Sequence, residues 1–113
     1  MNNVVLVGRL TKEPELISLS SGQNNKKTVI TLAVTRNYKN SEGIYDTDFL
    51  RCVLWNAIAS STCEYCHKGD IVGIKGRLES SVFETEEKEK NYITEVIVEK
   101  ITFLSSTKAK QKE

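Results

Sequence analysis

The residues whose types and spacing suggest chemistry are concentrated in one strand-like stretch, from Asp46 to Asn56. Side chains alternate between the two faces of a strand. One face therefore receives small or medium apolar residues, namely Leu50, Cys52 and Leu54. The other face receives two aromatic rings with a guanidinium between them, from Phe49, Arg51, Val53 and Trp55. Because a buried arginine is costly unless paired, we assign this second face to solvent, where flat rings beside positive charge suit single-stranded nucleic acid.

Other aromatic residues extend this candidate surface beyond the central strand. A nucleic-acid base that stacks on such a ring contributes about 1–3 kcal/mol. The alternative is that some of the rings fill the core of the domain. The predicted stacking residues are Tyr38, Phe49, Trp55 and Phe83, and for Tyr92 stacking and packing against a neighbouring strand remain equally open.

Basic residues near these rings are candidate phosphate contacts. Arg36, Arg51 and Arg77 stand out because each lies within a predicted strand close to a candidate ring. The full basic set also contains Arg9, Lys12, Lys39, Lys68 and Lys75, of which Arg9, Lys39 and Lys75 are assigned to the DNA site. The alternative for any single lysine is an ordinary solvated position. The net charge of +1 provides no global attraction to nucleic acid, although residues 1–39 hold six Lys or Arg against two Glu.

The motif Cys63-Glu64-Tyr65-Cys66-His67 matches the C-x-x-C-H pattern of haem attachment and half of a zinc site. Haem attachment accompanies export, and the residues after Met1 do not predict a signal peptide. A zinc ligand from Cys52 is disfavoured because that residue faces the core. We therefore expect the cysteines to be packing residues, with no metal, haem or other cofactor.

No combination of residues suggests an enzyme. The one histidine lies at the end of a predicted helix, away from any nucleophile, and Asp46 and Asp48 flank a strand start as turn residues would. No glycine-rich loop is present that could cradle a phosphate. We expect a binding protein without catalytic activity.

Length and composition indicate one small globular domain. The chain has 113 residues, of which 39% are hydrophobic, which suffices for a core. No apolar run approaches the roughly 20 residues of a membrane span, and three cysteines do not form a disulfide framework. We expect a cytoplasmic protein that does not act at a membrane.

Hydrophobic periodicity distributes the candidate residues over five strands and one helix. The predicted strands are 4–10, 27–37, 46–55, 71–83 and 92–104, and the helix spans 57–67 with Gly69 as its C-terminal cap. One helix between the third and fourth of five antiparallel strands predicts an all-β, five-stranded OB barrel over residues 1–104, with other all-β folds as competitors. Residues 105–113 are too polar to pack and are predicted to be a disordered tail.

The ordered motifs resemble those of the bacterial single-stranded DNA-binding proteins over residues 2 to about 104. They are Val4-Val5-Leu6-Val7-Gly8-Arg9-Leu10 with Pro14-Glu15-Leu16, Thr31-Leu32-Ala33-Val34, Val53-Leu54-Trp55, Tyr65 with Lys68-Gly69, and the stretches 73–78 and 92–96. The resemblance implies that stacking aromatics fall on Tyr38, Phe49, Trp55 and Phe83, the set chosen above from the residues alone. It also implies homotetramers that wrap single-stranded DNA without reading its sequence, in association with the nucleoid.

Two features depart from that family. Between Leu78 and Phe83, where the family often carries basic residues, stand Glu79, Ser80, Ser81 and Val82. The chain stops at the basic stretch 108–113, where replicative members carry a long linker and an acidic tip. We therefore expect a short, tailless member similar to the competence-associated type, or a phage or plasmid version, with recombination or DNA-uptake proteins as partners. The alternative is a primosome-type OB protein, a dimer that binds DNA weakly and acts mainly through protein contacts.

Overall fold

The computed structural model describes residues 1–19 and 25–105. This part of the chain forms six strands and one helix, and burial alternates along much of each long strand. The elements are β1 (Val4–Leu10), β2 (Ile17–Ser18), β3 (Lys26–Lys39), β4 (Tyr45–Trp55), α1 (Asn56–Tyr65), β5 (Ile71–Glu84) and β6 (Lys90–Ser105). Strand β1 has the predicted bounds, and the other long strands are slightly longer than predicted.

Five of these strands close into a barrel. Strand β1 pairs with β5, β5 with β6, β6 with β4 and β4 with β3, and β3 returns to β1. The β4–β6 pairing is parallel and the others are antiparallel. Helix α1 lies between the third and fourth barrel strands, which confirms the predicted OB fold. The short β2 adds to β3 outside the barrel, through Ile17 opposite Lys27.

Closure of the barrel depends on a glycine in β1. A Cβ atom at Gly8 would lie 2.5 Å from the backbone oxygen of Ala33 in β3 and 2.9 Å from the Leu32 side chain. Only a residue without a side chain allows this approach of β1 to β3.

The core contains only aliphatic and small side chains. Its buried members are Leu10, Ile30, Leu32, Cys52, Leu54, Ala59, Cys66, Val72, Ile74, Val96 and Val98. All three phenylalanines, all four tyrosines and the tryptophan are exposed. The alternative in which aromatic rings fill the barrel is therefore wrong.

The helix ends earlier than the sequence predicted. It stops at Tyr65, and Cys66 follows in an extended conformation. Gly69, the predicted helix cap, lies instead in the turn where the Asp70 amide donates to the His67 carbonyl at 3.0 Å. Its φ of 91° fits the third position of a type II turn.

The far end of the chain differs from prediction by one residue within the described part. Ser105, assigned to the tail, is the last residue of β6. The remainder of the predicted disordered tail, residues 106–113, lies outside the described residues.

Candidate nucleic-acid interface

Strand pairing places the outward side chains of four strands on one continuous surface. Val53 of β4 pairs with Val29 of β3 and with Ile97 of β6, and Ile97 pairs with Arg77 of β5. Paired residues share a face of a sheet, and that face recurs at every second residue. We call this surface the outer sheet face, and it comprises Lys27, Val29, Thr31, Ala33, Phe49, Arg51, Val53, Trp55, Arg77, Glu79, Phe83, Glu95 and Ile97.

Three of the predicted stacking residues lie on the outer sheet face. Phe49 is 67% exposed, Trp55 37% and Phe83 46%. Phe83 follows Arg77 by six residues along β5, so the two side chains emerge on the same side. Strand pairing therefore places on one face rings that are far apart in the sequence.

Tyr92 lies on the opposite face of the β5–β6 hairpin. It pairs with Val82, which alternates with Phe83 along β5. Its side chain is 74% exposed, so it is not a core residue either. This exposure does not fit packing against a neighbouring strand, and stacking by Tyr92 stays a prediction.

Val53 was predicted to be an exposed member of this surface, and that is wrong. Only 2% of its surface is exposed, because β4 has a strand on each side and its neighbours Val29 and Ile97 close over it. Val29, Val53 and Ile97 therefore form an apolar row across the sheet between Arg51 and Trp55.

A cation that the sequence did not single out lies against the tryptophan. Lys27 is directly opposite Trp55 in the β3–β4 pair, and its Nζ atom lies 5.2 Å from the ring centroid. This distance is within the range of a cation–π interaction. Lys27 is found opposite Trp55 only when the register of the β3–β4 hairpin is known, and local sequence pattern does not give that register.

Arg9 joins the same surface from the neighbouring strand. It pairs with Ala33, which in turn pairs with Phe49, so the three residues form a row across β1, β3 and β4. The Arg9 guanidinium donates to the backbone oxygen of Gly69 at 2.9 Å. The guanidinium of this predicted basic residue is thus held at the turn after α1, and its strand position lies in the same row as the exposed Phe49.

The other predicted cations on β4 and β5 are paired with carboxylates. Arg51 Nε donates to Glu95. Arg77 lies 2.9 Å from Glu79 and 4.0 Å from Glu99, and Lys75 is also 4.0 Å from Glu99. Phosphate contact at these positions stays a prediction, and a phosphate would meet cations that already have anionic partners.

Arg36 belongs to a separate cluster at the end of the β3–β4 hairpin. Its Nη2 atom lies 2.8 Å from Asp48, and its Nη1 atom lies 3.7 Å from Asp46. The hydrogen bond from Arg36 lowers the pKa of Asp48, and the same bond, followed by the charge of Asp48, raises the pKa of Arg36. Asp48 was predicted to be a turn residue, whereas its carboxylate holds an arginine.

The remaining predicted residues of this hairpin lie next to that cluster. The Arg36 guanidinium carbon is 6.0 Å from the Tyr38 ring, and Lys39 Nζ is 5.7 Å from the Tyr45 ring. The strand register is irregular between Thr35 and Lys39. Asp48 alternates with Phe49 along β4, so Arg36 contacts β4 on the side opposite the outer sheet face.

Two of the three cysteines occupy packing positions, and Cys63 is half-buried outside the core cluster. Cys52 and Cys66 are in the core, and burial raises the pKa of each thiol to about 11. Within residues 1–19 and 25–105, no three His, Cys, Asp or Glu side chains are grouped as metal ligands would be.

In the same part of the chain, no helix has the length and apolar character needed to cross a membrane.

An OB barrel with exposed rings and cations on one sheet face belongs to a class of domains that bind oligonucleotides or oligosaccharides. This chain is a member of the single-strand binding protein family, whose model matches residues 1–104.

Curated relatives agree with this membership. The chain is 42% identical over 103 residues to single-stranded DNA-binding protein B of Bacillus subtilis, covering 91% of this chain and 89% of the relative. It is 40% identical over 111 residues to the single-stranded DNA-binding protein of Enterococcus faecalis, covering 98% of this chain and 58% of the relative. It is also 40% identical to single-stranded DNA-binding protein 1 of Lactococcus lactis, over 96% of this chain and 71% of that relative.

Proposed function

We propose that this chain binds single-stranded DNA without reading its sequence and has no catalytic activity. The observation that carries the proposal is the exposure of Phe49, Trp55 and Phe83 on one face of the barrel. Burial of aromatic rings stabilises a fold, so rings left on a strand surface beside cations are available to a ligand. Every base has a flat face, and stacking is therefore tolerant of sequence.

The proposed DNA site combines rings and cations of the barrel strands with the separate cluster at the end of the β3–β4 hairpin. It comprises Tyr38, Phe49, Trp55, Phe83, Arg9, Arg36, Arg51, Arg77, Lys39 and Lys75, to which the geometry adds Lys27. Phosphate contacts by the cations make binding dependent on salt concentration. Family membership supports a role in coating and protecting single strands in the cytoplasm, during replication, recombination, repair or DNA uptake.

We also propose that the chain forms homotetramers, with part of the interface on the outer side of β1. Val5 is 75% exposed there, next to the exposed Val7. Val7 pairs with Gly73, and both residues line an open apolar groove with Leu104. Such an apolar strand face is typical of an association surface, and a second copy of this chain supplies a matching one.

Mass in solution tests this assembly and separates it from the primosome-type alternative. Light scattering coupled to size exclusion should give four chains for the unsubstituted protein, and fewer for Val7→Glu. A dimer with weak affinity for DNA would favour the primosome-type protein instead.

Fluorescence of Trp55 tests the proposed DNA binding directly, because it is the one tryptophan. Poly(dT) should quench its emission strongly, the effect should weaken as salt is added, and a duplex of equal length should leave it unchanged. Emission that does not respond to single strands at micromolar protein would overturn the proposal.

A further inference from the structure

The outer sheet face carries carboxylates interleaved with its guanidinium groups. Glu95 accepts from Arg51, and Glu79 accepts from Arg77. These two carboxylates belong to residues that are directly opposite each other in the β5–β6 pair. Like charges in that position repel, so each carboxylate depends on its arginine for compensation. The four charges form a compact, alternating set.

Glu95 is the least exposed member of these ion pairs. Its side chain is 16% exposed, whereas that of Arg51 is 49% exposed. The carboxylate therefore lies closer to the sheet than the guanidinium does, and it binds the guanidinium on the side that faces the sheet. An incoming phosphate reaches Arg51 from the solvent side, but it must compete with a carboxylate that is already hydrogen-bonded to Nε.

We propose that Glu95 sets the affinity of this chain for single-stranded DNA by holding Arg51 in an ion pair that phosphate must displace. The inference rests on the proposed function, and it concerns strength of binding rather than its existence. The aromatic rings provide stacking whatever the state of Arg51. The carboxylate withholds one cation from the phosphate backbone, so binding is weaker and less dependent on salt than the count of basic residues implies.

A double-mutant cycle tests this coupling. The variants are E95Q, R51Q and the double variant R51Q/E95Q. E64Q is the matched control, since it removes the same charge from the exposed surface of α1. Affinity is measured by the anisotropy of a fluorescein-labelled thymidine oligonucleotide over a range of salt concentrations. Far-ultraviolet circular dichroism verifies that each variant is folded.

We expect E95Q to bind the oligonucleotide roughly two- to fivefold more tightly than E64Q does, which is the size of effect of one partly exposed ion pair. Its salt slope should steepen by about 0.7, because one further phosphate on a single strand is neutralised. In the R51Q background, the gain from E95Q should be clearly smaller, because the freed cation is missing.

Two results would overturn the inference while leaving DNA binding intact. One is a gain for E95Q no larger than that for E64Q. The other is the same gain with and without Arg51, which would indicate a general effect of charge. Absence of binding by the unsubstituted chain would overturn the proposed function itself, and the inference with it.

Discussion

Lys27 and Trp55 face each other across the β3–β4 pair, with the ammonium 5.2 Å from the centre of the indole ring. A cation at this distance is attracted to the ring and restricts its orientation. We propose that the same ammonium meets the phosphate of a nucleotide whose base stacks on Trp55. This cross-strand pair would then supply both a stacking contact and a phosphate contact.

Replacing Lys27 by glutamine should weaken binding of a thymidine oligonucleotide by roughly two- to fivefold, as for loss of one exposed ion pair. The salt slope should decrease in magnitude by about 0.7. Anisotropy titrations at several salt concentrations measure both. Lys90→Gln removes the same charge from the face of the β5–β6 hairpin that carries Tyr92, opposite the outer sheet face. Equal losses for the two variants would contradict a specific role for Lys27.

Phe49→Ala should weaken single-strand binding by roughly five- to hundredfold, since one stacked base contributes about 1–3 kcal/mol. The ring is 67% exposed, so the free energy of unfolding should change little. Tyr92→Ala is the matched control, because Tyr92 is equally accessible but lies on the other face of its hairpin. A comparable loss in affinity for Tyr92→Ala would show that the binding surface extends beyond the outer sheet face.

Gly8→Ala should lower the free energy of unfolding by about 2 kcal/mol or more, as expected for steric strain in a packed interior. The added carbon would lie 2.5 Å from the backbone oxygen of Ala33. Gly73→Ala is the control, because its added carbon meets nothing closer than 3.6 Å. Urea unfolding at fixed protein concentration, followed by far-ultraviolet circular dichroism, compares the two. Equal stability of both variants would remove the role assigned to Gly8.

Thiol labelling should distinguish the three cysteines in the folded protein. Cys52 and Cys66 are buried with pKa values raised to about 11, whereas Cys63 is half-buried. Reaction requires an accessible thiolate, so Ellman's reagent near pH 8 should modify one thiol per chain rapidly and all three only in denaturant. The rapid phase should vanish in Cys63→Ser. Rapid reaction of all three thiols would mean that the barrel around Cys52 opens readily, and not only the helix end at Cys66.

The sequence was sufficient for the architecture because strand alternation is a local signal. Ile30 and Leu32 in β3 and Cys52 and Leu54 in β4 alternate with outward residues, and all four are in the core. Gly69 misled the placement of the helix end, since a glycine suits a type II turn as well as a helix cap.

The ion pairs of the site could not be predicted from the local sequence pattern. Arg51 and Glu95 are 44 residues apart and meet only because β4 and β6 are neighbours. The burial of Val53 has the same origin, since it depends on which strands flank β4. The aromatic positions were predictable because exposure of Phe49 and Trp55 follows from alternation within one strand.

The aliphatic core has a practical consequence for experiments on this chain. Since every tyrosine, phenylalanine and tryptophan lies outside the barrel, near-ultraviolet signals report on the surface and on what occupies it. A variant whose core has loosened can keep an almost unaltered emission spectrum. Conversely, a spectral change on adding DNA can be interpreted without assuming that the barrel has rearranged. Optical assays of occupancy and of folding are therefore separable in this protein by choice of wavelength alone.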